Sequence, residues 1–146
     1  MRRLAFVLGI AVLALLPAPA TQGADMMMAA SNSLRTALTH AGFAASYTAV
    51  PEVEMHLHHV VNCLEGANGK NYNKDAGNPC MGQGTGILPD LKDSGMAGAH
   101  ASPYAEVAAQ VALWGIQQTM NKDIGRAHAA ASVAKAALQL AIDNFK

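Results

Sequence analysis

The chain has few charged and few aromatic residues: Asp, Glu, Lys and Arg make up 14% of its 146 residues, and Phe, Trp and Tyr make up 5%. Its ten basic and ten acidic side chains include no basic run, so the composition does not indicate binding to nucleic acid or to an anionic membrane surface. Only two cysteines are present, without a Cys-x-x-Cys-His motif, which excludes covalently attached haem. Alternating strand patterns are also lacking, which favours an all-helical fold.

The longest apolar run lies at the N-terminus. Arg2 and Arg3 precede an uninterrupted apolar segment, 4–16, and Ala18-Pro19-Ala20 matches the small-x-small pattern of a signal peptidase site. The segment is shorter than the roughly 20 residues that a membrane-spanning helix needs. We therefore predict a signal peptide at 1–20 and an exported domain at 21–146, periplasmic or secreted, with no membrane span after cleavage.

Export determines how the two cysteines, Cys63 and Cys80, are interpreted. An oxidising compartment favours disulfides, so we predict that these two residues pair. A ring of this size would stabilise the folded chain by about 3 kcal/mol. Pairing would also remove both thiolates as metal ligands.

Apolar residues recur at steps of three and four in four segments, which predicts four amphipathic helices. Asp25 is a suitable N-cap for the first, and Ser102-Pro103 is a typical start for the third. The four predicted helices span 25–42, 51–66, 102–120 and 121–146. Four alanine-rich helices in one domain of this size favour a four-helix bundle.

A long segment without helical periodicity, 65–102, separates the second and third predicted helices. It is rich in Gly and Asn, and loops of this length are usually functional or disordered. A Cys63–Cys80 bond would pin its first half to the second helix, and Ile87, Leu88 and Leu91 would anchor its second half. We therefore predict that this segment is a loop fixed at both ends that covers the helices.

The third and fourth predicted helices carry apolar residues on more than one side. This pattern predicts either burial of these residues under the long loop or pairing of two chains into a homodimer.

The stretch MHLHHVVNC, residues 55–63, concentrates metal-binding side chains on the second predicted helix. A step of three residues places His56 and His59 on one strip, where two imidazoles can reach the same ion. Met55 and His58 lie on another side and form a second set. Imidazole suits copper, zinc and nickel, and thioether suits copper(I), so this pattern in an exported chain indicates copper, with zinc or nickel as other candidates. Alternatively, the histidines have no ligand and the helices and loop bind a protein partner.

Another ligand arrangement pairs Met27 in the first helix with His128 in the fourth. This placement resembles that of b-type cytochromes built on four helices, and the resemblance implies a non-covalently bound haem. Taken singly, His128 and His40 are interpreted as structural residues at helix edges and ends. The sequence has no Glu-x-x-His pair, no nucleophile elbow and no complete calcium loop. We therefore predict a protein without enzymatic activity.

The signal peptide, the alanine-rich helices and the histidine-containing segment GRAHAAASVAKAAL, residues 125–138, resemble exported small metal-binding helical-bundle proteins. The resemblance covers the whole of 21–146 in general character. It implies an all-helical fold that binds metal. Histidine is dense only in the second helix here, so one or two sites are expected.

Overall fold

The computed structural model describes residues 19–146, with side chains from residue 24 onward, and this part of the chain is helical without strands. Its helices are α1 (Pro19–Ser46), α2 (Val50–Glu65), α3 (Ile87–Lys92), α4 (Gly95–Met120) and α5 (Ile124–Asn144). The all-helical prediction is confirmed. Apart from its last two residues, the predicted signal peptide lies outside the described residues. None of the helices within 19–146 combines the length and apolar character that a membrane span requires.

Helix α2 begins and ends close to where the sequence predicts. Pro51 lies in its first turn, where the missing N–H removes no helical hydrogen bond. Gly66 follows its last residue with φ +70° and donates its N–H to the carbonyl oxygen of Asn62. A Cβ at Gly66 would lie 1.7 Å from the carbonyl oxygen of Thr85, so the position requires glycine both for the turn and for the close approach of the loop.

Helix α1 extends beyond both predicted ends, from Pro19 to Ser46 instead of 25 to 42. The glycine expected to end it, Gly42, lies inside the helix. A Cβ built there would meet only the flexible end of Lys135, at 3.8 Å. The helix continues past Gly42 because Ala41 and Ala44 are buried in the core, which favours the helical conformation on both sides of it.

The predicted start of the third helix at Ser102-Pro103 is wrong. The corresponding helix, α4, begins at Gly95 and contains Pro103 in its interior. Ala101 is fully buried, and Gly98 lies so close to α3 that an added Cβ would be 1.7 Å from the carbonyl oxygen of Leu91. This packing against α3 stabilises the early turns of α4 and offsets the hydrogen bond that Pro103 cannot donate.

The predicted cover, 65–102, is therefore irregular only over 66–86 and at 93–94, because α2, α3 and the start of α4 occupy the remainder. The Cys63–Cys80 disulfide is formed, with a Cα–Cα distance of 5.3 Å, which confirms the predicted pairing. Ile87 and Leu91 are fully buried and Leu88 packs against the core, as predicted. The irregular segment 66–86, called the disulfide loop below, is thus attached to the helices at both ends.

The four long helices are arranged as a ring of neighbours, with α1 against α2 and α5, and α4 against α2 and α5. The connections 47–49 and 121–123 are short, so α1 with α2 and α4 with α5 form antiparallel pairs. The interior consists largely of alanine, which lets the helices approach closely. The larger fully buried apolar side chains are few: Leu34, Val53, Leu57, Val60, Val61, Leu64, Ile87, Leu91 and Leu138.

Candidate metal centre

Three histidines converge where α1 passes into α2. His40 lies near the C-terminal end of α1, and His56 and His59 lie on α2. The short connection folds α2 back along α1, so the three rings meet between the two helices. Their ligand nitrogens all lie within 4.8 Å of one another, and they form the one group of at least three His, Cys, Asp or Glu side chains in the described part of the chain that could hold a metal ion.

Two of the three spacings between ring nitrogens are close to those found around a metal ion. The Nδ1 atom of His40 lies 2.9 Å from Nδ1 of His56 and 3.1 Å from Nδ1 of His59. With metal–nitrogen bonds of about 2.0 Å, a tetrahedral ion separates its ligand nitrogens by about 3.3 Å. These two separations are slightly shorter than that value, so small outward rotations of the rings would let His40 share one ion with either neighbour, and the third separation lies within 4.8 Å.

The proton on His59 is fixed by the disulfide loop. Nε2 of His59 lies 2.7 Å from the carbonyl oxygen of Ala76. A carbonyl oxygen only accepts hydrogen bonds, so Nε2 carries a proton, and in the neutral ring Nδ1 then presents its lone pair to the cluster. Metal-binding histidines are typically oriented in this way, with the second ring nitrogen donating to a carbonyl or carboxylate.

The fold favours the neutral forms of His40 and His56. Burial, followed by the proximity of His59 and then His56, lowers the pKa of His40 from 6.5 to about 4. Burial also lowers the pKa of His56, with a further contribution from His59 and an opposing one from Glu52. Neutral imidazole is the form that binds metal, so at neutral pH these two ligands need not lose a proton to bind an ion.

Phe43 and Tyr47 border the cluster at the surface. The Tyr47 ring stacks on His56 with a centroid distance of 5.1 Å and an interplanar angle of 20°. The Phe43 ring lies 5.1 Å from His56 and 5.6 Å from His40, centroid to centroid. Phe43 and Tyr47 are 40% and 39% exposed, whereas His56 is 8% exposed. The aromatic rings therefore hold the imidazoles in place and partly shield them from water.

The structure brings the predicted pair His56 and His59 together and adds His40, which the sequence reasoning placed only at a helix end. One signal in the sequence points to His40. An antiparallel helix pair that turns at 47–49 brings residues near 40 beside residues near 56. Phe43 also follows His40 by three residues on one face of α1, and Tyr47 comes four residues later, directly after the helix ends.

Met55 and His58 lie outside this cluster, on the different side of α2 that the spacing predicts. They line a surface hollow together with Glu54 and Asp75. Nε2 of His58 lies 3.3 Å from Nδ2 of Asn73, and Nδ1 of His58 is buried without a hydrogen-bond partner among the described residues. Burial lowers the pKa of His58, Glu54 opposes this shift, and His59 adds to it.

The predicted haem ligands, Met27 and His128, are not brought together. Nε2 of His128 lies 2.7 Å from the carbonyl oxygen of Tyr47, directly after the C-terminal end of α1. Met27 lies near the other end of α1. Because a helix rises 1.5 Å per residue, these two places are about 30 Å apart along the helix axis. One iron cannot bridge that distance, so the predicted ligand pair of Met27 and His128 is wrong.

A scan against protein-family models found no match to this chain, and comparisons with curated proteins and with solved structures found none either. The resemblance to exported metal-binding bundles therefore stays a prediction. The geometry of the three-histidine cluster is the basis for assigning a function.

Proposed function

We propose that this chain is an exported, non-enzymatic metal-binding protein that binds copper through His40, His56 and His59. The observation that carries the proposal is the convergence of three imidazole nitrogens within 4.8 Å of one another. In this reading the four long helices form a four-helix bundle that holds α1 and α2 in register. One such cluster within 24–146 suits transient binding of a single ion better than storage of many.

The ligand set supports a borderline metal over a hard one. Three neutral imidazoles suit copper, zinc and nickel, and the usual affinity order places copper(II) above the other two. Zinc is the alternative ion, since a three-histidine zinc site leaves a fourth position for water. Met55 is not part of the cluster, so the site itself lacks the thioether that would favour copper(I). The disulfide is compatible with export to an oxidising compartment.

Titration of the purified chain with copper, zinc and nickel salts, in competition with a chelator of known affinity, tests the proposal. We expect one ion per chain, with copper bound most tightly. His40→Ala, His56→Ala and His59→Ala should each weaken binding by roughly 100-fold, because two imidazoles remain. His100→Ala, which removes an exposed histidine on α4, is the matched control. Equal affinity in the control and in all three cluster variants would contradict the proposal.

A second candidate function is a protein interaction module without metal, and outward-facing apolar side chains favour it. Val107 and Trp114 on α4, and Val133 and Leu140 on α5, are between 43% and 51% exposed. Each pair is seven residues apart and therefore lies on one side of its helix. A homodimer would cover these side chains. Sedimentation of the metal-free chain tests the homodimer, because a chain that stays monomeric at all concentrations would contradict self-association through these side chains.

A further inference from the structure

The disulfide loop reaches the metal centre through the carbonyl oxygen of Ala76, which accepts the hydrogen bond from His59. We propose that Asn62 and Asn73 are positioning residues of this centre. They hold the Ala76 carbonyl where it keeps the proton of His59 on Nε2 and so directs Nδ1 toward the ion. The inference rests on the proposed function, because it identifies the residues that prepare one of the three ligands.

Asn62 attaches the loop to α2 on both sides of Ala76. Its side chain is fully buried. Nδ2 of Asn62 donates to the carbonyl oxygens of Asn73 and Gly77, at 2.6 Å each, and Oδ1 accepts from the backbone N–H of Asn73 at 2.8 Å. Since Asn62 comes three residues after His59 on the same helix, these bonds fix the loop relative to the ligand that it contacts.

Asn73 sets the direction of the peptide groups that lead to Ala76. Its Oδ1 accepts from the backbone N–H groups of Asp75 at 3.0 Å and Ala76 at 3.2 Å. This is the arrangement of an Asx turn, in which a side chain replaces a backbone carbonyl. The turn restricts rotation of the chain just before the Ala76 carbonyl, so its oxygen stays aimed at His59.

The disulfide closes the same segment into a ring. Cys63 lies four residues after His59 on α2, and Cys80 lies four residues after Ala76 in the loop, so the two cysteines are 17 positions apart in sequence. Ala76 is therefore held to one face of α2 by a covalent bond and by the Asn62 contacts. A loop with this many attachments to the ligand helix can determine the protonation site of a ligand.

The tautomer of His59 can be read directly in the metal-free chain by long-range ¹H–¹⁵N NMR. In the wild type we expect the proton on Nε2. Asn73→Ala removes the acceptor of the turn, so we expect a mixture of tautomers and a loss of copper affinity of roughly 10- to 100-fold. Asn73→Asp keeps an acceptor oxygen at the same place and should retain both the tautomer and the affinity. Asn68→Ala, at an exposed position in the same loop, is the control.

A neutral His59 ring with its proton on Nδ1 in the wild type would overturn the inference, and so would an Asn73→Ala chain with unchanged tautomer and unchanged affinity. The wild-type spectrum decides the first of these even if Asn73→Ala does not fold. If Asn73→Ala does not fold, Asn73→Ser takes its place in the experiment. The serine hydroxyl is a weaker acceptor for the turn, so this variant should show a smaller loss of copper affinity than the one expected for Asn73→Ala. Because the tautomer is measured without metal, a chain with the expected tautomer that binds no ion contradicts the proposed function alone.

Discussion

His40 is the residue whose charge state the fold alters most clearly. Its half-buried imidazole faces two other imidazoles, and its pKa is lowered from 6.5 to about 4 by burial and then by His59 and His56. In the unfolded chain the same residue takes up a proton near pH 6.5. Between these two values the unfolded state binds more protons than the folded state, so stability increases with pH across this window.

We predict that the metal-free chain is most stable above pH 6.5 and loses stability as the pH falls from there toward 4. At pH 5 the lowered pKa of His40 should reduce the free energy of unfolding by about 1 kcal/mol relative to pH 7, after allowance for solvent around the half-buried ring. Urea denaturation at pH 7 and pH 5 measures it. His40→Gln removes the titrating group and should reduce the difference between the two pH values, whereas His100→Gln should not. An equal pH dependence in the wild type and His40→Gln would contradict the assignment.

Among the individual residues of the metal centre, the sequence predicts two ligands and misses the third, because only two of them lie on the same helix. His56 and His59 could be paired because the helical repeat alone places both on one strip of α2. Periodicity does not link His40 to them, because that contact depends on how α1 and α2 dock, and only the antiparallel turn at 47–49 indicates it. The incorrect Met27–His128 pair has the same origin, because residue types alone do not determine which positions on different helices lie close together.

Gly115 shows how closely the helices pack. It lies on α4 and faces both α2 and α5. A Cβ built there would be 2.9 Å from Cβ of Ala130 and 3.0 Å from Cδ1 of Leu57. Contacts this short leave no room for a methyl group unless the helices separate.

We predict opposite effects for two glycine-to-alanine substitutions within helices. Gly115→Ala should lower the free energy of unfolding by about 1 to 2 kcal/mol, because overpacking at the helix contact exceeds the gain in helix propensity. Gly42→Ala, whose Cβ would meet only the end of Lys135 at 3.8 Å, should raise it by about 0.5 to 1 kcal/mol. Urea denaturation at pH 7 compares the two variants with the wild type. A Gly115→Ala chain as stable as Gly42→Ala would contradict the packing described for α4.

The helices themselves were predictable to different degrees. The boundaries of α2 follow from local signals, since Pro51 and Gly66 act through their own backbone properties. The start of α4 does not, because Pro103 is a typical helix start and the preceding turns are helical only through their contact with α3. The predicted long loop was too long for the same reason.

At the scale of the whole molecule, the core is unusual in being built largely from alanine. An alanine methyl buries less apolar surface than leucine or phenylalanine, and burial stabilises in proportion to that area. The stability of such a domain therefore depends more on interactions other than apolar burial. Within the described part of the chain, the Cys63–Cys80 disulfide is the covalent crosslink that can contribute. Domains generally have a net free energy of unfolding of about 5 to 15 kcal/mol, so a single crosslink can supply a substantial fraction of that free energy.

We predict that the double substitution Cys63→Ala with Cys80→Ala lowers the free energy of unfolding by about 3 kcal/mol, because the unfolded chain regains the freedom that the ring removes. Guanidinium denaturation of both chains measures the difference. Thiol titration of the unfolded wild type, expected to give no free thiol, is the control. Because the ring contains Ala76, the same variant should bind copper more weakly than the wild type at a temperature where both are folded. Equal stability of the two chains would show that the close packing of the helices alone maintains the fold.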